Sequence, residues 1–498
     1  MFCVLRCVTM STSGKVYKQC RSYANSYSVP ALPDEQYKKV ADYYAGKSVL
    51  LTGATGFVGK VLLERLLYNC ADIENVFVLI RPKKGLSAQK RLEQMTNAPI
   101  FTKLKQNSPT ALKKIIPVAG DMTLPELGIN PADRDTLVNN VSVVFHSAAT
   151  VNFGDSLEKI IDNNIRGTIK LVNLSKTIRN LESFVYISSA YSNSDKEIID
   201  EVVYPLTNKI EEIEKFCKEG SHDNMKAVKK IIGDKPNPYV WSKSYCETIV
   251  NNERKNMRTL IVRPSIVTPV IKEPLPGWTE SWVAATGIFS NIAEGIMPAI
   301  FGHHLDNVCD MIPVDYVANF AIIVAAKNER SIETPVYNVC SSSSNPITWR
   351  NAAKMFCGAT GTQSYDSRTR GPHKVTETDS KILFQTIIFL FQHMPALYRD
   401  IELLLKGNKT RYLKESLYAL GQRAHLHSFK KTSWLIRSNK TQALIASLDE
   451  QDKTTFPCNA ADINWDEYIP TYSEGVKKYL INKKYYEADL QSNTYATQ

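Results

Sequence analysis

The feature that most constrains this chain is the stretch Leu51-Thr-Gly-Ala-Thr-Gly-Phe-Val-Gly59. It follows the apolar run Val49-Leu50-Leu51 and opens a helical pattern that extends from Phe57 to Asn69. Glycine recurs at 53, 56 and 59. In a strand-to-helix turn of this kind, the first glycine permits a tight bend. The second lets the backbone approach a pyrophosphate, and the third lets helix and strand pack closely. The helix N-terminus then presents free N–H groups and a positive partial charge to the phosphate. A dinucleotide is therefore expected on Gly53, Thr55, Gly56, Phe57, Val58 and Gly59.

The pattern around this loop alternates. Apolar, β-rich runs at 75–81, 113–121, 141–149, 183–191 and 258–267 are separated by helical stretches, one of them over 157–178. Such alternation predicts an α/β fold, a doubly wound parallel sheet of Rossmann type with ligands at the carboxyl ends of its strands. After about residue 370 the chain reads as helices with Lys/Arg clusters and no strand alternation, and 380–397 (SKILFQTIIFLFQHMPAL) is strongly apolar. The expected organisation is an N-terminal extension at 1–40, a dinucleotide-binding domain at 41–370, a smaller, mostly helical domain at 371–485 and a polar tail at 486–498.

Composition removes several function classes. The formal net charge of +11 suits an acidic small molecule or an anionic membrane surface. No zinc-finger spacing or basic-aromatic array is present, so no nucleic acid partner is expected. Ten cysteines are scattered singly, without a Cys-x-x-Cys pair. They read as reduced thiols of an intracellular protein, and no metal site is expected. Residues 1–33 carry Arg6, Lys15, Lys18 and Arg21 and no acid. That composition overlaps with a transit peptide, though a disordered extension is the plainer reading. No apolar run approaches the roughly 18 to 20 residues of a membrane-spanning helix.

The Gly-x-x-Gly-x-x-Gly spacing resembles the short-chain dehydrogenase/reductase superfamily in its extended branch. Asp121, in Ala-Gly-Asp, stands where that superfamily has its adenine-contacting acid, and Phe-His-Ser-Ala-Ala (145–149) where it has a cofactor loop. The end of the second strand reads Arg81-Pro82-Lys83-Lys84, without an acid. Arg81 and Lys84 suit the 2′-phosphate of NADPH, which an acid would repel. Tyr239 and Lys243 in Asn-Pro-Tyr-Val-Trp-Ser-Lys are four apart and share a helix face, about 5 to 6 Å apart at Cβ. An ammonium beside a phenol favours the phenolate and lowers a pKa that is ordinarily near 10, which fits Tyr239 for proton transfer. In the superfamily, the lysine also holds the nicotinamide ribose. A Ser or Thr on the preceding strand there bonds the substrate carbonyl; Ser188 and Ser189 both qualify, and the superfamily pattern favours Ser189. Asn164, His146 and Cys246 read as structural or packing residues.

Over about residues 35–485 the chain resembles the alcohol-forming fatty acyl-CoA reductases, especially those of insects and moths. The stretches Glu-Pro-Leu-Pro-Gly-Trp (273–278) and Ile-Asn-Trp-Asp-Glu-Tyr (463–468) are its more specific marks. The resemblance implies a Rossmann domain, a helical C-terminal domain, and NADPH-dependent four-electron reduction of a long-chain fatty acyl-CoA to a primary alcohol through an aldehyde. Ser189 would steady the oxyanion and Tyr239 would supply a proton. It also implies membrane association at the endoplasmic reticulum or a peroxisome. The sequence departs from the family pattern in three places: Ser189 stands for the commoner Thr, Pro238 precedes Tyr239, and the tail is polar where many relatives have an apolar anchor. The 380–397 segment is then either an interfacial helix or a buried one. Alternative readings are another extended reductase, such as a hydroxysteroid dehydrogenase or nucleotide-sugar epimerase, and a non-catalytic lipid-binding protein at a membrane.

Overall fold

The computed structural model describes residues 37–482 apart from 152–153, 209, 220–224, 328–330, 332 and 360–374, and for 225 and 422–430 the backbone alone. The extension before residue 37, the 370/371 boundary and the tail at 486–498 lie outside the described residues.

β1 (Ser48–Thr52) is buried along its whole length, as a parallel strand covered on both faces must be. Its side chains alternate between two cores. Val49 and Leu51 join the cluster on one face, and Leu50 joins the cluster on the other. β2 (Asn75–Ile80), β3 (Ile115–Ala119), β4 (Val141–His146), β5 (Ser183–Ile187), β7 (Thr259–Pro264) and β11 (Val336–Val339) complete a parallel sheet of seven strands. Its order is β11-β7-β5-β4-β1-β2-β3. The chain runs outward from β1 through β2 to β3, then restarts on the other side at β4. The crevice at this reversal, above the ends of β1 and β4, is where a doubly wound sheet binds its ligand. The helix Phe57–Asn69 packs with the helix Val314–Lys327, and the helix Pro238–Glu253 packs against the helix Gly167–Ser175.

Three local expectations change. The helix predicted over 157–178 is α-helical at Leu157–Ile160 and Gly167–Ser175, with a π segment, Ile161–Arg166, between. The side chain of Asn164 is pinned inside that segment by Thr150 N–H and Ser242 Oγ. The strand predicted over 258–267 ends at Pro264, which has no N–H for the ladder. After Ser265 the chain enters β8 (Ile266–Thr268), which pairs with β10 (Met311–Pro313) instead. The C-terminal part also contains two short strands. β12 (Thr376–Thr378) pairs with β9 (Ala299–Phe301), and β13 (Leu435–Ile436) pairs with β6 (Ile198–Ile199).

The helix Trp465–Val476 is seated in the larger core, where its Tyr468 hydroxyl donates to Pro269 O at 2.6 Å. Gly475 on this helix touches Gly277 so closely that a Cβ there would lie 1.8 Å from the Gly277 carbonyl oxygen. The residue after Gly277, Trp278, packs its ring on Phe57 of the glycine loop, with centroids 5.6 Å apart and planes tilted by 34°.

Candidate active site

The glycine loop has the backbone that its sequence requires. Gly53 has φ +78°, and a Cβ there would lie 2.7 Å from Ala148 N. A Cβ on Gly59 would lie 2.2 Å from Gly53 O, so this residue holds the helix against the turn. No side chain caps the helix at Gly56. Its first N–H groups therefore face the crevice, which fits a pyrophosphate.

One cleft of about 280 Å³ opens over the carboxyl ends of the strands. Gly53, Gly56, Phe57, Val58 and Gly59 line it from the loop after β1. Ser188 and Ser189 enter it after β5, Ser265 after β7, and Tyr239 and Lys243 from the helix Pro238–Glu253. Thr55 sits half-buried on the loop and is not among the lining residues. Arg81, Lys84 and Asp121 stand apart from this cleft, at the ends of β2 and β3. Arg81 Nη1 is 3.6 Å from Asp121 Oδ2, and Asp121 Oδ1 accepts from Thr123 N–H and Oγ1. Lys84 lies in the turn between Lys83 and Leu86. Arg91, which the sequence reading passed over, donates to the Arg81 carbonyl and adds a further cation to this corner.

Asn237 starts the Tyr239 helix by accepting Val240 N–H at 2.9 Å, with Pro238 in the first turn. Proline suits that place because its missing N–H would have no helical partner. One turn on, Lys243 is only 4% exposed. Its Nζ donates to Ile187 O at 2.7 Å and lies 4.9 Å over the Tyr186 ring. Desolvation pulls its pKa down to about 8, against the opposing pull of Cys246 and Glu247. The expected lowering of the Tyr239 pKa is not found: desolvation in the cleft wall raises it above 10.0. The Lys243 ammonium is directed at the Ile187 carbonyl, and Tyr239 keeps its proton.

The two serines differ. Ser188 is buried and donates to Glu247 Oε1 at 2.5 Å. Ser189 accepts Tyr191 N–H at 3.2 Å and is more open to the cleft. Behind them lies a pair that the sequence reading missed. Glu247 and Arg263 are both fully buried, joined at 2.6 Å and 2.9 Å. Glu247 stands four residues beyond Lys243 on the same helix, and that spacing was the available signal. The arginine also donates to Asp200 O and Val202 O, so each of its three nitrogens has a partner.

Three further residues hold the framework. Asn164 O accepts from Thr168 Oγ1 and Cys246 Sγ. His146 lies between Thr52 and Thr168, 2.9 Å from each hydroxyl. Desolvation and the nearby Lys243 charge lower its pKa to about 3, so the ring is neutral. Burial raises the Cys246 thiol pKa, which leaves it a packing group.

Comparison with known proteins agrees with this architecture. Residues 51–321 match an NAD-binding domain of the male sterility protein type, and residues 391–483 match a second male sterility protein domain. The chain therefore carries a nicotinamide dinucleotide-binding domain. Fatty acyl-CoA reductase 1 of Homo sapiens is 33% identical over 450 residues, covering 89% of this chain and 87% of the relative. Fatty acyl-CoA reductase 2 of Mus musculus is 33% identical over 451 residues, covering 89% and 86%. The fold is similar to that of the terminal R domain from the myxalamid PKS-NRPS biosynthetic pathway, with TM-score 0.58 at 16% identity, covering 94% of this chain and 97% of that one. It is also similar to a UDP-glucuronic acid 4-epimerase from Bacillus cereus, with TM-score 0.50 at 16% identity, covering 86% and 99%. By its two matched domains and by relatives that it follows over most of their length, the chain belongs to the fatty acyl-CoA reductase family of male sterility proteins.

Proposed function

We propose that this oxidoreductase reduces a long-chain fatty acyl-CoA to a primary fatty alcohol with NADPH, releasing CoA and passing through the aldehyde. One observation carries the reading: Tyr239, Lys243 and Ser189 line the same cleft as the glycine loop. The curated relatives are named for action on fatty acyl-CoA, and this supports the substrate class.

NADPH supplies the hydride for each of the two reductions. The chain's own residues do the rest. Ser189, whose oxygen is bonded through Tyr191 N–H, has its hydroxyl proton to donate to the substrate oxygen as negative charge builds there. Tyr239 holds its proton and gives it to that oxygen. Lys243, braced on the Ile187 carbonyl, orients the ribose beside Tyr239. Arg81, with Lys84 and Arg91 nearby, supports NADPH over NADH, since a 2′-phosphate needs cations at the end of β2. Substrate and product are both lipids, and we place the reaction at a membrane surface.

The test is NADPH oxidation across a chain-length series of acyl-CoAs, with product analysis. About two NADPH per alcohol are expected from the carbonyl chemistry. NADPH consumption that does not depend on acyl-CoA, or none at all, overturns the reading.

A further inference from the structure

The apolar run at 380–397 stands on the surface. The helix Lys381–Ile388, the π segment Phe389–His393 and the helix Met394–Leu405 follow one another without a break, a rod of roughly 37 Å at 1.5 Å per residue. Three of its polar side chains, Gln392, His393 and Asp400, turn inward. Gln392 donates to Ser416 O at 2.8 Å, and His393 Nδ1 lies 2.9 Å from Ser416 Oγ. Asp400 accepts the backbone N–H groups of Arg411, Tyr412 and Leu413. All these partners belong to the start of the helix Tyr412–Lys431, which packs back on the rod. The apolar side chains turn outward: Ile382 is 79% exposed, Leu404 62% and Leu405 84%, with Phe389, Leu390 and Phe391 each half exposed or more. A helix on a water-facing surface has the opposite arrangement. Thirteen of the eighteen exposed large apolar residues among those described fall within 382–418.

A patch of this extent marks an interface, and its charge selects the occupant. Exposed Lys381, Lys406 and Lys414 stand at its ends, and Glu402 is the one exposed acid among the described residues 381–418. A twofold self-pair would set one basic patch against another, whereas anionic headgroups complement it. No helix among the described residues is long and apolar enough to cross a membrane, so the rod would lie in the headgroup region. The helix Tyr412–Lys431 also packs on the helix Ala285–Ala293, and Val283 and Ala284, just before that helix, line the catalytic cleft.

We propose that residues 381–418 form a lipid-docking hairpin that seats on an anionic membrane surface, with the mouth of the cleft beside it. The inference rests on the reading that the chain works at a membrane, and it names the surface responsible.

Flotation of the full chain with vesicles of phosphatidylcholine and phosphatidylserine tests it. The wild type is expected to float, less so at high salt. The double variant Leu390→Asp/Phe391→Asp is expected to bind at least about tenfold more weakly while still binding NADPH. Lys381→Gln/Lys406→Gln/Lys414→Gln is expected to lose about tenfold to a hundredfold on these vesicles. The conservative Phe391→Trp guards against misfolding. Bromine-labelled phosphatidylcholine should quench its indole beyond the quenching of the six native tryptophans. No added quenching, or a double variant that floats like the wild type, overturns the hairpin while leaving membrane attachment standing. A wild type that does not float, but sediments as a dimer that the double variant splits, overturns both and makes a second copy the occupant.

Discussion

Ser188 donates its hydroxyl proton to Glu247 Oε1 at 2.5 Å, and this bond separates the roles of two adjacent serines. Ser188 is committed to a buried carboxylate that Arg263 and Ser192 also hold. Ser189 → Ala is therefore expected to lower kcat about a hundredfold to a thousandfold, the usual loss for one oxyanion donor. Ser188→Ala should lose less than about tenfold, because Glu247 keeps its other partners. Steady-state NADPH oxidation distinguishes the two, and equal losses would remove Ser189 from its assigned role.

Tyr239→Phe removes the proton donor and little else. Turnover should fall by about a hundredfold to ten-thousandfold, with NADPH affinity by fluorescence titration unchanged. Retained turnover would sink the assignment.

Lys243 makes a prediction about pH. Its pKa is held at about 8, below the ordinary 10.5. The ammonium is lost as pH rises through about 8, so the rate should fall along that alkaline limb. In Lys243→Arg the guanidinium stays charged, so the limb should vanish from whatever rate remains. Stability moves the other way. Between about pH 8 and 10.5 the unfolded chain binds a proton that the folded chain has released, so this group's contribution to stability rises with pH across that window. Denaturant unfolding at both ends of the window measures it.

Cofactor choice rests on Arg81. Arg81→Ala should weaken NADPH about tenfold to a hundredfold more than NADH, because only NADPH carries the 2′-phosphate that the guanidinium would pair. Equal weakening in paired titrations would overturn the NADPH assignment.

Gly475→Ala should be severe. Its Cβ would lie 1.8 Å from Gly277 O, a backbone atom that cannot step aside. A loss of about 3 kcal/mol or more is expected, read as a lowered thermal midpoint. NADPH affinity should fall with it, because the Gly277 loop carries Trp278 against Phe57.

Much of this was legible in the sequence where local pattern and tertiary role coincide. Val49 to Leu51 is apolar because both faces of β1 are covered, and Gly53 and Gly59 are glycine because a side chain would meet backbone. Tyr239 and Lys243 could be paired because their spacing is set by one helix. Reading fails where a partner distant in sequence decides. Asp310 O takes the Ile266 N–H, so the strand expected through 267 is diverted into another pair. The Glu247–Arg263 bond joins a helix to a strand; the spacing from Lys243 marks Glu247, but nothing in the strand marks Arg263 as its partner. The sequence of 380–397 shows apolarity, but only the contacts of Gln392, His393 and Asp400 reveal which side faces out.

The pairing of β13 with β6 has a consequence in time. Arg437 reaches back to Asp200, 237 residues earlier, at 3.0 Å beside that pair. At about 5 to 20 residues per second, a ribosome needs roughly 10 to 50 s to span that interval. During that interval Ile198 and Ile199 have no β13 to pair with. The edge of Ile198 and Ile199 therefore lacks this partner until the segment around Leu435 has been synthesised.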